Sequence, residues 1–431
     1  MSSGKSYLVI GGGGREHALS WKLSEYSHCY TMPGNPGMSM DTQIIDGNPG
    51  DFEFVADKAR ELDVSAVVVG PEAPLCKGIS DFLKERGIFA FGPFKNGARL
   101  EGSKAFAKEF MNRHSIPTAD AMSFTSEESA LEFVDQHTFP VVIKLDGLAG
   151  GKGVTIAENR YDAENAINAT LGEGRQGKVV IEEYLEGKEL SILAVTDGKV
   201  IKPFLPSRDH KHLNDGNKGP MTGGMGAYCP VPDIDGKTYD RIIAEIVEPT
   251  LQGLKDKCID YRGVIYFGLM ITSDGPKVLE YNCRFGDPET QVVLSRLKTP
   301  LHHIVEAVKH QTLDSLEIKS NKGFSACVVL ASQGYPKKPK TGMVIQGLES
   351  ARKEPESRIF FAGVAKQSGN LVTSGGRVLA CVGNGRTLRQ ALGRAYRMTS
   401  KVRFTGRQYR CDIGGRYARG RTSMLNFRFK I

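Results

Sequence analysis

The sequence predicts an α/β protein that begins with an open parallel α/β domain, continues with an α/β module around a glycine-rich loop, and ends with a β-rich domain. Three observations support this fold class. A strand-like run, a glycine-rich turn and the start of a helix follow one another at 6–21, as in the first unit of an open parallel sheet. Two β-branched strands flank a glycine- and lysine-bearing loop at 141–156. Strand-like segments recur after residue 323 and lead into an arginine-bearing helix near 387–400.

Size and composition are those of a globular enzyme. The 431 residues, 40% of them hydrophobic, suffice for about two to four domains. No apolar run approaches the ~20 residues of a membrane span and residues 1–5 lead directly into a strand, so we expect a cytoplasmic protein without a signal sequence or membrane partner. The eight cysteines are scattered singly, which favours reduced thiols over a zinc site or a disulfide framework.

The net charge of +8 is unevenly placed. From residue 386 onward thirteen lysines and arginines accompany the single Asp412, a local charge of +12 that leaves −4 for the preceding 385 residues. A basic end of this kind could bind nucleic acid or form a solvated or phosphate-facing surface. We favour the surface, because the run carries no recognisable RNA- or DNA-binding motif, and we expect no nucleic-acid partner.

The first glycine-rich turn does not fit a dinucleotide site. Gly11 and Gly13 match the fingerprint, but Glu16 occupies the third glycine position. The turn could hold a phosphate monoester at a helix N-terminus, or it could serve only as a tight turn.

Two further strands of this first domain, at 64–69 and 88–91, each end in Gly-Pro. Glu72, in the first of these turns, is a candidate for binding ribose hydroxyls; the alternative is a carboxylate at a helix N-terminus. A helix is predicted over 103–111 and ends before Pro117.

The second glycine-rich loop, at 147–153, predicts a grip on a polyphosphate. Its glycines leave backbone N–H groups free to approach an anion, while Lys144 and Lys152 supply charge, so the expected ligand is a nucleoside triphosphate. It is not a Walker loop, because Gly153 stands where that motif needs a hydroxyl and a strand follows instead of a helix. A later strand, at 179–181, runs into acidic residues, and backbone groups at such a strand end can read an adenine edge.

A metal site is predicted near the end of a hairpin. Residues 203–228 are too polar or glycine-rich for core elements, so we expect a long functional loop there. Alternating strands at 263–270 and 277–282 then form a hairpin, and period two puts Glu280 and Asn282 on one face. Two hard oxygen ligands fit Mg²⁺ whose other positions are water and phosphate; a solvent-facing edge is the alternative.

These features divide the chain into four parts. Together with the family resemblance described next, they lead us to expect an N-terminal α/β substrate domain at 1–102, a central domain at 103–310 with a mobile lid at about 118–190, a β-rich domain at 323–416, and a divergent basic tail at 417–431. The strands predicted in the β-rich domain are 323–332, 344–347, 358–364, 370–373 and 376–383.

Taken together, the segments resemble the glycinamide ribonucleotide synthetase family of the ATP-grasp superfamily. The matching stretches follow family order over about residues 6–416: 12–17, 70–75, Lys104, 146–154, 209–211, 222–228, 280–289 and 375–377. No single stretch is diagnostic, but the ordered set is highly specific.

The resemblance implies an ATP-grasp fold with ATP between two lobes, and ligation of glycine to 5-phosphoribosylamine through glycyl phosphate in purine biosynthesis. It implies ATP and Mg²⁺ or Mn²⁺ as cofactors, and possible transient contact with other purine-pathway enzymes. The implied ATP-binding residues are Lys104, Lys144, Gly150, Gly151, Lys152, Gly153, Glu182, Glu183, Tyr184, Leu185, Glu189, His212 and Met221. The implied metal ligands are Glu280 and Asn282. The candidate catalytic residues are Arg284, which would bind the glycine carboxylate, and Asp287 and Asp209, which would orient an amine. The candidate substrate contacts are Gly13, Gly14, Glu72, Arg284 and Arg377.

Three departures from the family pattern stand out. His212 replaces an arginine and loses its fixed charge and fork, while Met221 replaces an asparagine and loses its amide donor. Both lie near the expected nucleotide phosphates, so nucleotide affinity or rate could be weaker. Residues 417–431 do not resemble the family, and since the enzyme is the first part of a longer fused chain in many eukaryotes, this tail could be an alternative or truncated ending.

Three other interpretations remain open. Another ATP-grasp carboxylate–amine ligase, such as a formyl-transferring or carboxylating relative, is disfavoured by the turn at 282–289. A catalytically weakened copy with a regulatory or scaffold role is motivated by His212 and Met221 and opposed by the intact Lys104, Lys144 and Glu280. A nucleic-acid binder, suggested only by the tail, comes third.

Overall fold

The structure is a computed structural model that describes residues 4–148 and 153–415. The predicted ATP-binding residues Gly150, Gly151 and Lys152 and the tail at 417–431 lie outside the described residues. Every helix of the described part is too short or too polar to cross a membrane.

A five-stranded parallel sheet forms the N-terminal region, as predicted, in the order β3-β2-β1-β4-β5. Its strands are β1 (Ser6–Gly11), β2 (His28–Pro33), β3 (Gln43–Ile44), β4 (Ala66–Val69) and β5 (Ala90–Phe91), and its helices are α1 (Gly14–Ser24), α2 (Phe52–Glu61), α3 (Glu72–Lys77), α4 (Ile79–Glu85) and α5 (Lys95–Gly102). The central strand is apolar on both faces, since Leu8 and Val9 join different core clusters, as expected for a covered parallel sheet. Because β1 and β4 are neighbours, the glycine-rich turn and Glu72 follow strands at the same edge of the sheet.

The module around the second glycine-rich loop is an antiparallel sheet in the order β6-β9-β7-β8. Its elements, with the preceding helix, are α6 (Lys104–Arg113), β6 (Ala121–Phe124), α7 (Glu127–Asp135), β7 (Val141–Leu145), β8 (Val154–Ala157), α8 (Arg160–Leu171) and β9 (Val179–Glu183). The helix predicted over 103–111 is confirmed, and the Ser103 hydroxyl caps it by accepting from the Phe106 amide at 3.1 Å.

A second antiparallel sheet, in the order β11-β10-β16-β17, contains the predicted hairpin. The elements from 188 to 310 are β10 (Lys188–Thr196), β11 (Ile201–Pro203), β12 (Arg208–Asp209), β13 (His212–Asn214), β14 (Lys218–Met221), β15 (Gly226–Cys229), α9 (Gly236–Ile242), α10 (Glu248–Asp256), β16 (Gly263–Ile271), β17 (Pro276–Asn282), α11 (Glu289–Arg296) and α12 (Leu301–His310). The Val278 amide of β17 donates to Pro117 O at 2.8 Å, so this sheet is joined to the segment that enters the glycine-loop module.

The last sheet is five-stranded and runs in the order β12-β15-β18-β22-β19. Its C-terminal elements are β18 (Phe324–Ala331), α13 (Leu348–Arg352), β19 (Ser357–Phe361), the hairpin of β20 (Val364–Gln367) and β21 (Asn370–Thr373), β22 (Arg377–Gly385) and α14 (Leu388–Lys401). The β-rich character predicted for this region is confirmed, but the strand predicted at 344–347 is wrong. Only isolated bridges form there, from Val344 to Val372 and from Gln346 to Arg403.

The loop predicted at 203–228 is also wrong in part. The strand β15 is wholly buried and pairs with β18 inside the last sheet. Gly226 permits this approach, because a Cβ there would lie 2.6 Å from Cys327 O. The turn residues that precede β15 are thereby held against the rest of the chain.

Candidate active site

Side chains from the three regions converge on the end of β17 and on the turn at 282–289 that follows it. Arg284 contacts Glu72 of the N-terminal region, and Asp287 contacts both the first glycine-rich turn and Arg377 of the last sheet. Glu280 contacts Lys211, which precedes β13. The predicted residues of 280–289 therefore lie at one junction.

A buried carboxylate positions two of the lysines. Lys144 Nζ donates to Glu182 Oε2 at 2.9 Å and to Leu279 O at 3.0 Å, which joins β7 to β17. Lys108 Nζ lies 3.1 Å from the same Glu182 oxygen. Burial lowers the pKa of Lys108 to about 8, although Glu182 opposes the shift. The ammonium groups of Lys108 and Lys144 thus share the Glu182 carboxylate, so the three side chains together keep a net positive charge that can bind an anion.

Glu280 is surrounded by lysines. Lys211 Nζ donates to Glu280 Oε1 at 3.2 Å, and this charge lowers the pKa of Glu280 to about 2 against the effect of burial. Lys104 donates to Gly147 O at 2.9 Å, and burial lowers its pKa while Glu280 and Asp146 act in the opposite direction. The cluster of Lys104, Lys144 and Lys211 is suited to a polyphosphate.

The oxygen donors near these lysines fit a divalent cation. Glu280 is ionised throughout the physiological range, and Asn282 Oδ1 accepts from Arg284 Nη2 at 3.2 Å while keeping a second lone pair. Within 4–148 and 153–415 no group of three or more His, Cys, Asp or Glu side chains could hold a metal by itself. An ion at Glu280 and Asn282 would therefore take its remaining ligands from water and phosphate, as Mg²⁺ does.

Arg284 is held by two carboxylates. Its Nε donates to Glu72 Oε2 at 3.0 Å, and its Nη2 donates to Glu101 Oε1 at 2.8 Å. Burial raises the pKa of Glu101 even beside Arg284, whereas Arg284 and Arg15 hold the pKa of Glu72 below its usual range although burial acts against them. Glu72 is also the first residue of α3, which confirms a carboxylate at a helix N-terminus, while ribose binding stays a prediction. Its pairing with Arg284 was not predicted.

Asp287 links the first glycine-rich turn to the last sheet. Its carboxylate accepts from Gln291 Nε2 at 2.8 Å and from the Arg15 amide at 3.4 Å, and it lies 3.4 Å from Arg377 Nη2. Burial would raise the pKa of Asp287, but Arg377 and Arg15 hold it below its usual range. A Cβ at Gly14 would lie 2.8 Å from the same Gln291 nitrogen, so a larger residue at this position would displace the Gln291 side chain.

Asp209 lies near Arg377, against the turn at Gly223 and Gly224. Arg377 Nη1 donates to Gly223 O and to Asp287 O, both at 2.6 Å. A Cβ at Gly224 would lie 2.8 Å from Asp209 Oδ1, which puts Asp209 against the same turn. Burial, reinforced by Glu289, raises the pKa of Asp209 well above its usual range, so the two aspartates of the site differ in their affinity for a proton.

Of the residues predicted for adenine and ribose, Glu182 and Glu183 end β9, Tyr184 and Leu185 follow it, and Glu189 lies in β10. Glu182 lies within the sheet, and its side chain pairs with Lys144 and Lys108. Glu183 pairs with Lys277 at 3.0 Å, Tyr184 is 40% exposed and Leu185 is buried. The structure contains no nucleotide, so these residues and Glu189 stay predictions.

Two of the three departures from the family pattern, His212 and Met221, are neighbours. His212 and Met221 are directly paired across the hairpin of β13 and β14. His212 Nδ1 lies 2.9 Å from Gly219 O, and Thr222, next to Met221, donates from both its amide and its hydroxyl to Lys211 O at 2.8 and 2.7 Å. The hairpin thus adjoins the lysine that pairs with Glu280. Gly153, at the end of the second glycine-rich loop, accepts from the Leu145 amide at 2.8 Å.

Sequence reasoning missed several residues that complete the site. They are Arg15, Glu101, Lys108, Lys211 and Gln291, each of which contacts a predicted site residue. Arg15 and Lys211 lie inside stretches that carried the family resemblance, so the sequence could have identified both as candidate site residues. Glu101 and Lys108 lie in helical sequence with no motif, and only the fold brings them to Arg284 and Glu182.

Family models match nearly the whole chain. The N domain of phosphoribosylglycinamide synthetase matches residues 5–101, its ATP-grasp (A) domain matches 102–290, and its C domain matches 325–416.

Curated relatives extend over the same length. A phosphoribosylamine–glycine ligase of Clostridium acetobutylicum is 45% identical over 416 residues, covering 94% of this chain and 99% of the relative. A ligase of the same name from Ralstonia nicotianae is 44% identical over 421 residues, covering 96% and 99%. The trifunctional purine biosynthetic protein adenosine-3 of Drosophila melanogaster is 44% identical over 425 residues, which is 94% of this chain but 31% of that protein.

Solved structures share the fold. The crystal structure of phosphoribosylamine–glycine ligase from Thermotoga maritima matches with a TM-score of 0.82 at 37% identity, covering 95% of this chain and 100% of that one. The biotin carboxylase domain of Hydrogenobacter thermophilus 2-oxoglutarate carboxylase, solved with MgADP, matches with a TM-score of 0.70 at 18% identity over 94% and 91%. The second match concerns the fold alone.

Proposed function

The chain belongs to the phosphoribosylglycinamide synthetase family, and from this premise we propose how its residues carry out the reaction. It is an ATP-dependent ligase of purine biosynthesis that forms glycinamide ribonucleotide, and the family resemblance and the ATP-grasp fold predicted from the sequence are confirmed. The observation that carries this conclusion is 45% identity to a phosphoribosylamine–glycine ligase over nearly the full length of both chains. Nothing in the comparisons favours a regulatory or scaffold copy.

We propose glycine and 5-phosphoribosylamine as the substrates. An oxygen of the glycine carboxylate attacks the γ-phosphorus of ATP, ADP leaves, and glycyl phosphate forms. The amine of 5-phosphoribosylamine then attacks the acyl carbon, inorganic phosphate leaves, and the amide forms. The first step needs positioning and charge neutralisation, so it requires no nucleophilic side chain.

For the triphosphate we propose Lys104, Lys144 and Lys211, which surround Glu280. Gly150, Gly151, Lys152 and Gly153 of the second glycine-rich loop would complete the grip. A divalent ion, Mg²⁺ or Mn²⁺, held by Glu280 and Asn282 would add positive charge against the β- and γ-phosphates. Coverage of the phosphates by the 147–153 loop would exclude water from glycyl phosphate.

For adenosine we propose the chain that leaves β9. The main chain of residues 182–185 would read the adenine edge, and the Glu189 carboxylate would hold the ribose. The position of Glu189 supports its role. Arg208 Nε donates to Glu189 O at 2.7 Å, which fixes the Glu189 backbone beside Asp209. The Glu182 carboxylate would act through Lys144 and Lys108, by fixing the ammonium groups beside the phosphates.

For glycine we propose Arg284. Its guanidinium already binds carboxylates, and Glu72 is the more exposed of the two, with 27% of its side chain accessible against 8% for Glu101. We infer that the glycine carboxylate replaces Glu72 at Arg284 while Glu101 remains. The fork of Arg284 suits a carboxylate in two-point contact.

For 5-phosphoribosylamine we propose the glycine-rich turn and the junction with the last sheet. Amides of Gly13 and Gly14 at the start of α1, together with Arg377, would hold the phosphate, and the freed Glu72 would face ribose hydroxyls. Asp287 and Asp209, which both lie near Arg377, would orient the amine. The raised pKa of Asp209 suits a group that accepts a proton as the amide forms.

The test of the function is phosphate release from ATP and Mg²⁺, with glycine alone, with freshly generated 5-phosphoribosylamine alone, and with both. We expect release only with both substrates, together with glycinamide ribonucleotide detected by mass spectrometry. ATP binding without release in any mixture would contradict catalysis and return weight to a binding role.

Contact with other purine-pathway enzymes remains a proposal. It is supported by the Drosophila relative, in which the matching region occupies 31% of a protein named as trifunctional. A cytoplasmic location also stays a prediction. The tail at 417–431 has no role in the proposed chemistry.

A further inference from the structure

Arg410 is a buried arginine outside the site described so far, and it binds the hairpin of β13 and β14. Its side chain is 1% exposed. The guanidinium donates to Asp412 from Nε and from Nη2, both at 2.7 Å, which is the two-point geometry of a strong charged pair. Two further donations cross to the hairpin, from Nη1 to His212 O at 3.1 Å and from Nη2 to Asn217 Oδ1 at 2.9 Å.

Two backbone amides join the same two segments. The Cys411 amide donates to Asp215 Oδ1 at 2.8 Å, and the Gly216 amide donates to Asp412 Oδ2 at 2.8 Å. We call residues 410–412 the clasp. The hairpin depends on such support, because its residues from 214 to 220 are all exposed and a two-stranded hairpin is marginally stable by itself in water.

The clasp is itself fixed to α14. The Tyr396 hydroxyl of this helix donates to Arg410 O at 3.1 Å and accepts from the Ile413 amide at 3.0 Å. Ile413 is fully buried, in a core cluster that includes Leu392 of the same helix. Since α14 packs on β18 and β22, the clasp connects the hairpin to the last sheet.

The start of the hairpin leads to the proposed phosphate site. Lys211 directly precedes β13, and its Nζ donates to Glu280, a proposed metal ligand. Two successive carbonyls are held here from different segments, because Thr222 donates to Lys211 O and Arg410 donates to His212 O. A shift of the His212 carbonyl therefore displaces the adjacent Lys211.

We propose that Arg410 is a positioning residue for the triphosphate of ATP. It fixes the hairpin, the hairpin fixes Lys211, and the last sheet thereby contributes to nucleotide binding from a distance. The effect on ATP rests on the proposed function, whereas the clasp itself does not. The proposed glycine site should not respond, because Arg284 is held by Glu72 and Glu101, which lie in the N-terminal region.

The test changes the clasp contact from both of its ends in the full-length chain. Arg410→Ala removes the guanidinium. Asn217→Gly removes an acceptor on the exposed side and suits the φ of 54° at this position, while Asn217→Asp returns an acceptor. The control is Arg397→Ala, which removes an arginine of α14 that pairs with Glu354 instead of the hairpin.

We expect Arg410→Ala to raise the Kd for MgATP, measured by calorimetry, about 10-fold, and Asn217→Gly to raise it about 3-fold, since both act through a network and not on the nucleotide. The KM for ATP should rise with the Kd, whereas the KM for glycine should change by less than about two-fold. Asn217→Asp and Arg397→Ala should match the parent. Thermal unfolding of each variant reports whether the fold is kept.

Three results would overturn the proposal. They are a parental Kd for MgATP in both Arg410→Ala and Asn217→Gly, equal rises in the KM for ATP and for glycine, or a change confined to Arg410→Ala and accompanied by a lower unfolding temperature. A parent that binds MgATP but makes no glycinamide ribonucleotide would instead contradict the proposed function, because the comparison of Kd values does not depend on turnover.

Discussion

At the residue scale, the buried carboxylates decide which cations remain available. Glu182 forms ion pairs with both Lys108 and Lys144, so it neutralises only one of their two charges. Glu280 pairs with Lys211, and Glu101 pairs with Arg284. A buried cation with a fixed partner keeps its position without water, which is the condition for binding phosphate or carboxylate with little reorganisation. These ion pairs therefore fix the positions of the cations in the site.

Replacing Arg284 by alanine should abolish the use of glycine. We expect kcat/KM for glycine to fall about 100-fold or more, because truncating one partner of a buried hydrogen-bonded charge pair costs about 2–5 kcal/mol. Binding of ATP, followed by calorimetry, should remain close to the parent. Arg284→Lys should be intermediate, since it keeps the charge and loses the fork.

The control for this variant is Arg113→Ala, which removes an exposed arginine of α6. Thermal unfolding of each variant separates loss of the site from loss of the fold, because Glu72 and Glu101 lose a partner when Arg284 is truncated. An unaltered KM for glycine in Arg284→Ala would rule out the proposed contact.

Removal of the divalent cation should stop turnover, and Glu280→Gln should raise the Mg²⁺ concentration for half-maximal turnover about 10-fold or more. The reason is that the ionised Glu280 supplies the formal negative charge of the two proposed ligands. A Mg²⁺ titration with excess ATP makes the measurement, with Glu85→Gln, on the exposed end of α4, as the control. Coincident titration curves for Glu280→Gln and the parent would contradict the site.

A period or a motif was enough to bring site residues together where it set the local geometry. Alternation along β17 is enough to place Glu280 and Asn282 together, and the charged turn that follows points to Arg284 and Asp287. Glu101 could not be found in this way, because its partner Arg284 is 183 residues away and its own helix carries no signal. Its burial, and hence its raised pKa, exists only in the folded chain.

At the element scale, the hairpin of β13 and β14 carries both departures from the family pattern. His212 and Met221 face each other across it, so their effects on bound phosphate should be coupled. The sequence shows the two changes at separate positions. Only the strand register of the hairpin shows that the two residues are paired.

Restoring both family residues tests this coupling. We expect His212→Arg with Met221→Asn to lower the Kd for ATP about 3- to 10-fold, since a fixed charge and an amide donor return near the phosphates. Calorimetric titration of the parent, both single variants and the double variant gives the coupling. Four equal dissociation constants would show that the hairpin does not reach the nucleotide.

The errors at this scale have a common cause. Gly226 and its neighbours have the composition of a loop, yet β15 is buried because β18 and β12 pair on its two sides. The opposite error occurred at 344–347, where apolar residues were predicted as a strand but only isolated bridges form. Strand pairing over more than 90 residues is a tertiary property, so local composition could not supply it.

At the scale of the whole molecule, the N-terminal region is clamped to the last sheet. Asn35 Nδ2 donates to Gly12 O at 2.9 Å and to Phe361 O at 2.8 Å, and the Phe361 amide donates to His17 Nδ1 at 2.8 Å. The glycine-rich turn is thus fixed against β19. The family order of motifs predicted which segments meet, while this clamp came only from the structure.

Acid should destabilise the molecule through buried His210. Burial, with Arg410 nearby, lowers its pKa to about 4 in the folded state. Below about pH 6.5, His210 binds a proton in the unfolded chain, whereas in the folded chain it stays neutral down to about pH 4. The free energy of unfolding therefore falls as the pH drops from about 6.5 to 4, and this residue contributes about 3 kcal/mol at most to the fall.

Chemical denaturation of the parent and of His210→Gln at pH 7.5 and 5 measures this contribution. We expect the variant to lose less stability between the two pH values. His310→Gln, with an imidazole 61% exposed, should behave as the parent. Parallel losses in all three proteins would assign the acid sensitivity to other groups.

The glycyl phosphate route can be followed with glycine whose carboxylate carries ¹⁸O. Because a carboxylate oxygen attacks the γ-phosphorus and later leaves with it, the inorganic phosphate should contain one ¹⁸O for each glycinamide ribonucleotide formed. Mass spectrometry of the phosphate after one round of reaction gives the answer. Product formed with unlabelled phosphate, or phosphate released without product, would contradict the ligase chemistry assigned to this site.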